Sequence, residues 1–214
     1  MAHFPTKFAK ILLLSIVGLA APLSGGSAQD KPVVLLIARG DAVYGATALE
    51  RGIDKEANVI IRKLNEQGYA VEVATEDGKD LQAGGSKLKV DEKLADVKVT
   101  RYAGVIIPCM NNTTVPASAV KIVQDMHGRG VPVAAQNGGV LILGAAGVLK
   151  ERNYAISDDL KWDPTVQNGV LKGVGVVQDG DILTSGVCPA QAMKTGLKDG
   201  TDELVTTFAA MLKK

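Results

Sequence analysis

The sequence predicts an α/β fold: an open, mostly parallel sheet covered by helices on both faces. Three observations carry this. Val33–Ala38 (VVLLIA) and Ala103–Pro108 (AGVIIP) are unbroken apolar runs, the mark of strands buried on both faces. Between Val33 and Ala74 the chain reads strand, helix, strand, which implies a parallel pair joined by a crossover. Pro132–Arg152 (PVAAQNGGVLILGAAGVLKER) reads as a buried strand over Val131–Ala135, a tight turn at Gln136-Asn137-Gly138-Gly139, and a small-residue helix running on to Gly147. Such a strand-to-helix elbow lifts one side chain, here Asn137, to the carboxyl edge of the sheet and aims a helix N-terminus at it.

The 214 residues divide into a leader and one domain. Lys7 and Lys10 form a basic start, Ile11–Ala21 is an apolar run of 11 residues, and Gly26-Ser27-Ala28 supplies small residues for cleavage. This pattern predicts a secretory signal peptide over residues 1–28, a mature domain over 29–214, and a periplasmic or secreted location. An uncleaved anchor is the other reading, but the run falls short of the ~20 residues that span a bilayer. No cysteine lies near the cleavage site for lipid attachment. Residues 1–28 hold two lysines and no acid, so the mature domain carries 22 basic and 23 acidic residues, a net charge of −1. Nothing in that balance suggests nucleic acid or, after cleavage, a membrane as partner. Cys109 and Cys188 are the only cysteines, and there is no CxxC or cysteine–histidine cluster with metal spacing, so no metal or other cofactor is expected.

The elements follow in order. After the first strand comes a glycine-punctuated loop, Arg39–Gly45, then a helix from about Ala46 to Gln67 closed by Gly68. Leu49, Ile53, Ala57, Ile60 and Leu64 recur at helical spacing as its buried stripe, with Glu50 and Glu56 on opposite edges. By position alone either acid is a surface residue with a half-covered stem. Tyr69–Ala74 alternates and is the second strand. Thr75–Arg101 is polar and glycine-rich, with Leu88-Lys89-Val90 a possible short strand. The third strand, Ala103–Pro108, leads into a loop at Cys109-Met110-Asn111-Asn112. A helix from about Pro116 to His127 is stopped by Gly128. Beyond the elbow, Tyr154–Asn168 is irregular and holds the only tryptophan, Trp162. Val170–Val177 and Asp181–Thr184 are expected to pair as a hairpin about Gln178-Asp179-Gly180, since Asp-Gly is a strong turn signal. Ser185–Pro189 leaves as a loop. The last helix, about Thr201–Leu212, has Asp202 and Glu203 in its first turn and Lys213-Lys214 at its end, matching the helix dipole, with Leu204, Phe208 and Leu212 inside. In an open sheet ligands bind beyond the carboxyl ends of the strands, where the Cys109-Met110, Asn137-Gly138 and Ser185–Pro189 loops converge.

RYAGVIIP before a loop, PVAAxxxGxxxLxxAGxLKxR at the elbow and VVQDGDILTS before the last loop together resemble the ThiJ/PfpI family. The likeness covers nearly all of the mature domain. It implies a flavodoxin-like, class I glutamine amidotransferase-like fold. Members of that family often read Ala-Ala-x-Cys-His-Gly-Pro at the elbow, where this chain has Ala134-Ala135-Gln136-Asn137-Gly138-Gly139-Val140. The nucleophile position therefore holds Asn137 and the histidine position Gly138. The family's glutamate lies twelve residues before the glycine closing the first helix, and counting back from Gly68 places it at Glu56. The oxyanion loop, Pro-Gly-Gly in the family, is Pro108-Cys109-Met110 here. The closing loop, Thr-Ser-Arg-Gly-Pro in the family, is Thr184-Ser185-Gly186-Val187-Cys188-Pro189. The family also implies a homodimer.

An amide is a poor nucleophile, so thioester chemistry at Asn137 is excluded. His3 belongs to the leader, and His127 ends a helix, a capping or packing position. Two readings follow. One is a pseudoenzyme that keeps the pocket, formed by Glu56, Cys109, Met110, Asn137, Gly138 and Cys188, for a small polar ligand or partner. The other is a thiol-dependent hydrolase, or a redox or stress-response enzyme, using Cys109 or Cys188. For the two cysteines a structural Cys109–Cys188 disulfide is the first expectation, ahead of two inert thiols and then of a reactive pair.

Overall fold

The computed structural model describes residues 1–3, 31–39, 45–109 and 114–213. Residues 4–28 of the expected signal peptide, with its cleavage site, lie outside them, as does Met110. The chain divides into two units, Met1–Asp30 and Lys31–Lys214; of the first, only exposed coil at residues 1–3 is described. Among the described residues no helix is long and apolar enough to cross a membrane.

The second unit opens with β1 (Val33–Ile37). The long helix predicted after it is three segments in succession: α1 (Ala46–Gly52), a π-helical turn (Ile53–Ala57) and α2 (Asn58–Glu66). β2 (Ala70–Thr75) follows. The polar stretch holds a small hairpin, β3 (Leu81–Ala83) with β4 (Ser86–Leu88), and the short edge strand β5 (Glu92–Lys93). Then come β6 (Tyr102–Ile107), α3 (Ala117–Gly128), β7 (Val133–Gln136) and α4 (Val140–Ala145). Next are β8 (Asn153–Tyr154), β9 (Val170–Leu171), β10 (Val176–Asp179) and β11 (Ile182–Ser185). The chain closes with α5 (Pro189–Thr195) and α6 (Thr201–Met211).

The main sheet runs β10-β11-β7-β6-β1-β2-β5. All of its pairs are parallel except β10 with β11. Because successive strand side chains alternate in direction, β1 feeds two cores. Leu35 and Ile37 join Val105, Ile107, Val133 and Ala135 on one face, with Val123 and Met126 of α3 and Leu143 of α4. Val34 and Leu36 join Ile106, Ala134 and Leu183 on the other, with Ile60 and Leu64 of α2 and Phe208 of α6. This is the doubly covered, mostly parallel sheet that the apolar runs predict.

Three expectations are corrected. Val170–Val177 is not one strand: Val170-Leu171 pairs in parallel with Asn153-Tyr154, and only Val176–Asp179 joins the main sheet. The break is at Gly173, whose φ of 119° takes the chain out of an extended path. The hairpin loop is Gly180-Asp181, with Gly180 at φ 62° and Asp179 opposite Ile182. The region after β11 is also more than a loop, since α5 starts at Pro189. Pro at its first turn and Gly196 in the left-handed region just past its end are the ordinary start and stop of a helix.

Candidate functional site

β11, β7 and β6 are neighbours in the sheet, so the loops leaving their carboxyl ends are neighbours too. That adjacency brings together Cys188, Asn137 and Cys109. Asn137 is the apex of the elbow, 2% exposed, with φ 44°. Asparagine tolerates this left-handed conformation better than most residues. The turn needs Gly139 for space: a Cβ there would meet the Ile107 carbonyl oxygen at 2.5 Å. The elbow thus packs directly against the end of β6.

Each end of the Asn137 amide is engaged. Nδ2 donates to Cys109 Sγ at 3.4 Å and to Cys188 Sγ at 3.7 Å. Oδ1 lies 2.5 Å from Ser157 Oγ and 3.4 Å from the Ser157 N–H. Ser157 Oγ also bonds the Asp159 carboxylate. One hydroxyl hydrogen serves only one of these two acceptors at a time. Gln136, fully buried beside the apex, donates through Nε2 to the Val187 carbonyl at 2.9 Å and accepts from Thr201 Oγ1 at 3.2 Å. It ties the elbow to the loop carrying Cys188 and to the start of α6.

Glu56 sits in the π-helical turn, 3% exposed. Such turns are frequent at functional sites because the extra residue re-aims side chains. Here Ile53, Glu56 and Ala57 all turn inward. Glu56 Oε1 accepts the Cys109 N–H at 2.7 Å. Burial pushes the Glu56 carboxyl well above the usual carboxylate range; negative charge at Cys188 pushes the same way, and the Cys109 amide opposes. The structure therefore brings Glu56, Cys109, Asn137, Gly138 and Cys188 into one cluster, with the Gly138 N–H also donating to the Cys109 sulfur. Glu50, on the other edge of the helix, instead accepts the Gly85 N–H at 3.0 Å.

No disulfide joins the two cysteines: both are thiols in the structure. Cys188 is 1% exposed and sits immediately before α5. Its acidity is raised, to a pKa of about 7, chiefly because the Cys109 thiol donates to it; burial opposes this, and the Gln191 and Ala190 amides and the Asn137 side chain add to it. Cys109, half-buried, is pushed the other way by giving its proton to Cys188 and by burial. Of the two sulfurs, Cys188 is therefore the one that ionises more readily.

A cavity of about 300 Å³ opens onto Cys109, Asn137 and Cys188. Its wall includes Arg51, Asp159 and Lys194. Lys194 is paired with Asp159 at 3.1 Å, and Gln191 Nε2 donates to both carboxylate oxygens of Asp159. Burial works against ionisation of Asp159, but the hydrogen bonds from Ser157, Gln191 and Lys194 outweigh it and hold the carboxyl below its ordinary range. Arg51 has no ion pair with another described residue. No group of three or more histidine, cysteine, aspartate or glutamate side chains suited to a metal occurs among the described residues. His127, away from this cluster, bonds Asp181 through Nδ1 at 2.5 Å, a tie between the end of α3 and the hairpin.

Sequence reasoning missed Gln136, Ser157, Asp159 and Arg51. Only Gln136 had a local signal, being the residue before the apex. The others reach the site through loops and a helix face whose placement depends on the assembled sheet.

A doubly covered parallel sheet with a strained elbow residue, a buried glutamate from the first helix and a pocket at the carboxyl edge defines an amidotransferase-like α/β domain. The chain belongs to the DJ-1/PfpI family, whose model matches residues 47–195. It is 31% identical over 137 residues to an uncharacterised protein of Archaeoglobus fulgidus, an overlap spanning 62% of this chain and 81% of the relative. Among solved structures it resembles a ThiJ/PfpI domain protein from Brachyspira murdochii, with TM-score 0.60 and 15% identity, covering 85% of this chain and 96% of that one. It also resembles a DJ-1 superfamily protein from Agrobacterium tumefaciens, with TM-score 0.58 and 19% identity, covering 84% and 98%. Likeness at these identities speaks for the fold alone.

Proposed function

We propose that this is an exported member of the family that has given up elbow-nucleophile chemistry and binds a small polar ligand in the elbow cavity. The observation that carries the reading is the apex itself. Asn137 is no nucleophile, and both ends of its amide are occupied, one by the two sulfurs and one by Ser157. It acts as a strut that shapes the pocket. Arg51 supplies a cation at the cavity wall, which favours a ligand with a carboxylate or similar anionic group. Export to the periplasm or beyond and a homodimer complete the proposal; the first rests on the leader pattern of residues 1–28 and the second on family likeness.

The test is calorimetric titration of the purified chain with a panel of small carboxylates, alongside amidase and esterase assays. The reading expects saturable binding that Arg51→Ala weakens, and no hydrolysis. Turnover of an amide or ester that Cys188→Ser abolishes would sink it in favour of a relocated cysteine hydrolase. The raised acidity of Cys188 is the one observation favouring that second reading.

A further inference from the structure

The binding role leaves the two sulfurs unexplained. They come from loops 79 positions apart, meet on one side-chain amide and line the same cavity. A purely structural pair would gain nothing from opening onto a cavity. We propose that Cys109 and Cys188 are a reversible dithiol–disulfide pair that exchanges with small anionic thiols and disulfides entering that cavity. The anionic preference rests on the ligand reading above; the exchange does not.

The arrangement assigns the two roles. Cys109 is the residue with partial access to solvent, and Cys188 the buried one. An incoming disulfide RSSR is attacked by Cys109. As it attacks, Cys109 gives its proton to the thiolate form of Cys188, whose sulfur shares the Asn137 amide with it. The S–S bond of RSSR breaks, one RS sulfur forms a mixed disulfide with Cys109, and the other leaves as RS⁻. That RS⁻ takes the proton back from Cys188 and departs as RSH. The Cys188 thiolate then attacks Cys109 Sγ, closing the Cys109–Cys188 disulfide and expelling the second RS⁻. One protein thiol and one thiolate plus RSSR thus give one protein disulfide, one RSH and one RS⁻. The two cysteines lose two electrons and RSSR gains them. In reverse, a small thiolate attacks Cys109 and displaces Cys188. Displacement is favoured because an acidic thiol is the better leaving group. Asn137, the Gly138 amide and the amides of Ala190 and Gln191 hold the sulfurs in place for both directions and are positioning groups.

Treating the full chain with oxidised glutathione, trapping with a maleimide after denaturation and weighing the intact protein tests this. Wild type is expected to lose both maleimide sites and two hydrogens, and to regain both sites in excess reduced glutathione. Cys188→Ser is expected to stop at a glutathione adduct on Cys109. Cys109→Ser is expected to form its adduct at least ~10-fold more slowly, since access governs the rate of attack. Serine is nearly isosteric, and circular dichroism of both variants confirms that they fold. Arg51→Ala is expected to slow glutathione about tenfold while the cationic probe cysteamine reacts no more slowly than with wild type. Thiols that stay free in oxidised glutathione overturn the pair. So does a disulfide that excess reduced glutathione does not open, which is a static staple. Equal slowing of both probes by Arg51→Ala overturns the anionic selection alone.

Discussion

Replacing Asn137 with glycine separates the two jobs of the elbow residue. Glycine adopts φ 44° freely, so the backbone is relieved while the amide is lost. The amide Nδ2 lies 3.7 Å from Cys188 Sγ, a long contact to a sulfur that is partly ionised at neutral pH. A charge-assisted hydrogen bond contributes about 1.5–3 kcal/mol, and this long one belongs at the bottom of that range. About 1.4 kcal/mol is a tenfold change in the ionisation constant. Cys188, with a pKa of about 7, is half ionised at neutral pH. After the substitution roughly one tenth remains thiolate, and alkylation by iodoacetamide at pH 7 slows about fivefold. The assay is the pH dependence of that rate, with the modified residue assigned by mass spectrometry. Asn137→Ala removes the same amide but keeps the backbone strained, so it is expected to match the glycine variant in rate and to be less stable. An unchanged or more acidic Cys188 in both variants refutes the assignment of Asn137 as a support for the thiolate.

Glu56→Gln keeps an acceptor for the Cys109 N–H but removes a buried carboxyl whose folded pKa is raised. The folded state then holds the proton longer than the unfolded one, so wild-type stability falls as pH rises above the ordinary glutamate range. The difference between the variant and wild type in urea midpoint is expected to grow in the variant's favour from pH 5 to pH 6.5. A pH-independent difference contradicts this. Gly139→Ala drives a methyl to 2.5 Å from the Ile107 carbonyl and is expected to cost about 1–3 kcal/mol in thermal or urea unfolding. Gly128→Ala, in α3 with open space around it, is the control and is expected to gain about 0.5 kcal/mol. Phe208→Ala empties the core between α6 and the sheet and is expected to cost about 3–5 kcal/mol, with the elbow thiol reactivity unchanged in the folded fraction.

The fold was legible wherever local pattern and tertiary role coincide. Val33–Ile37 and Tyr102–Ile107 are apolar without interruption because both faces of the sheet are covered. The elbow was legible because a short strand must stop at Gln136 for Gly138 and Gly139 to turn. Where two signals competed, the stronger backbone constraint won. Val170–Val177 looks like one strand by composition, but Gly173 breaks it. Pro189 and Gly196 spelled out α5, yet its seven residues are too few for a periodic stripe to stand out.

The sequence by itself determined the kind of elements, their order, the family and that position 137 carries an amide. Those properties depend on residues within a few positions of one another. Tertiary structure alone decided that Cys109 and Cys188 touch one amide, that Glu56 points inward from a π-helical turn, and that Ser157, Asp159 and Arg51 belong to the same site. The strand order β11-β7-β6 places those loops side by side, and only the closing of the whole parallel sheet makes distant positions in the chain neighbours in space.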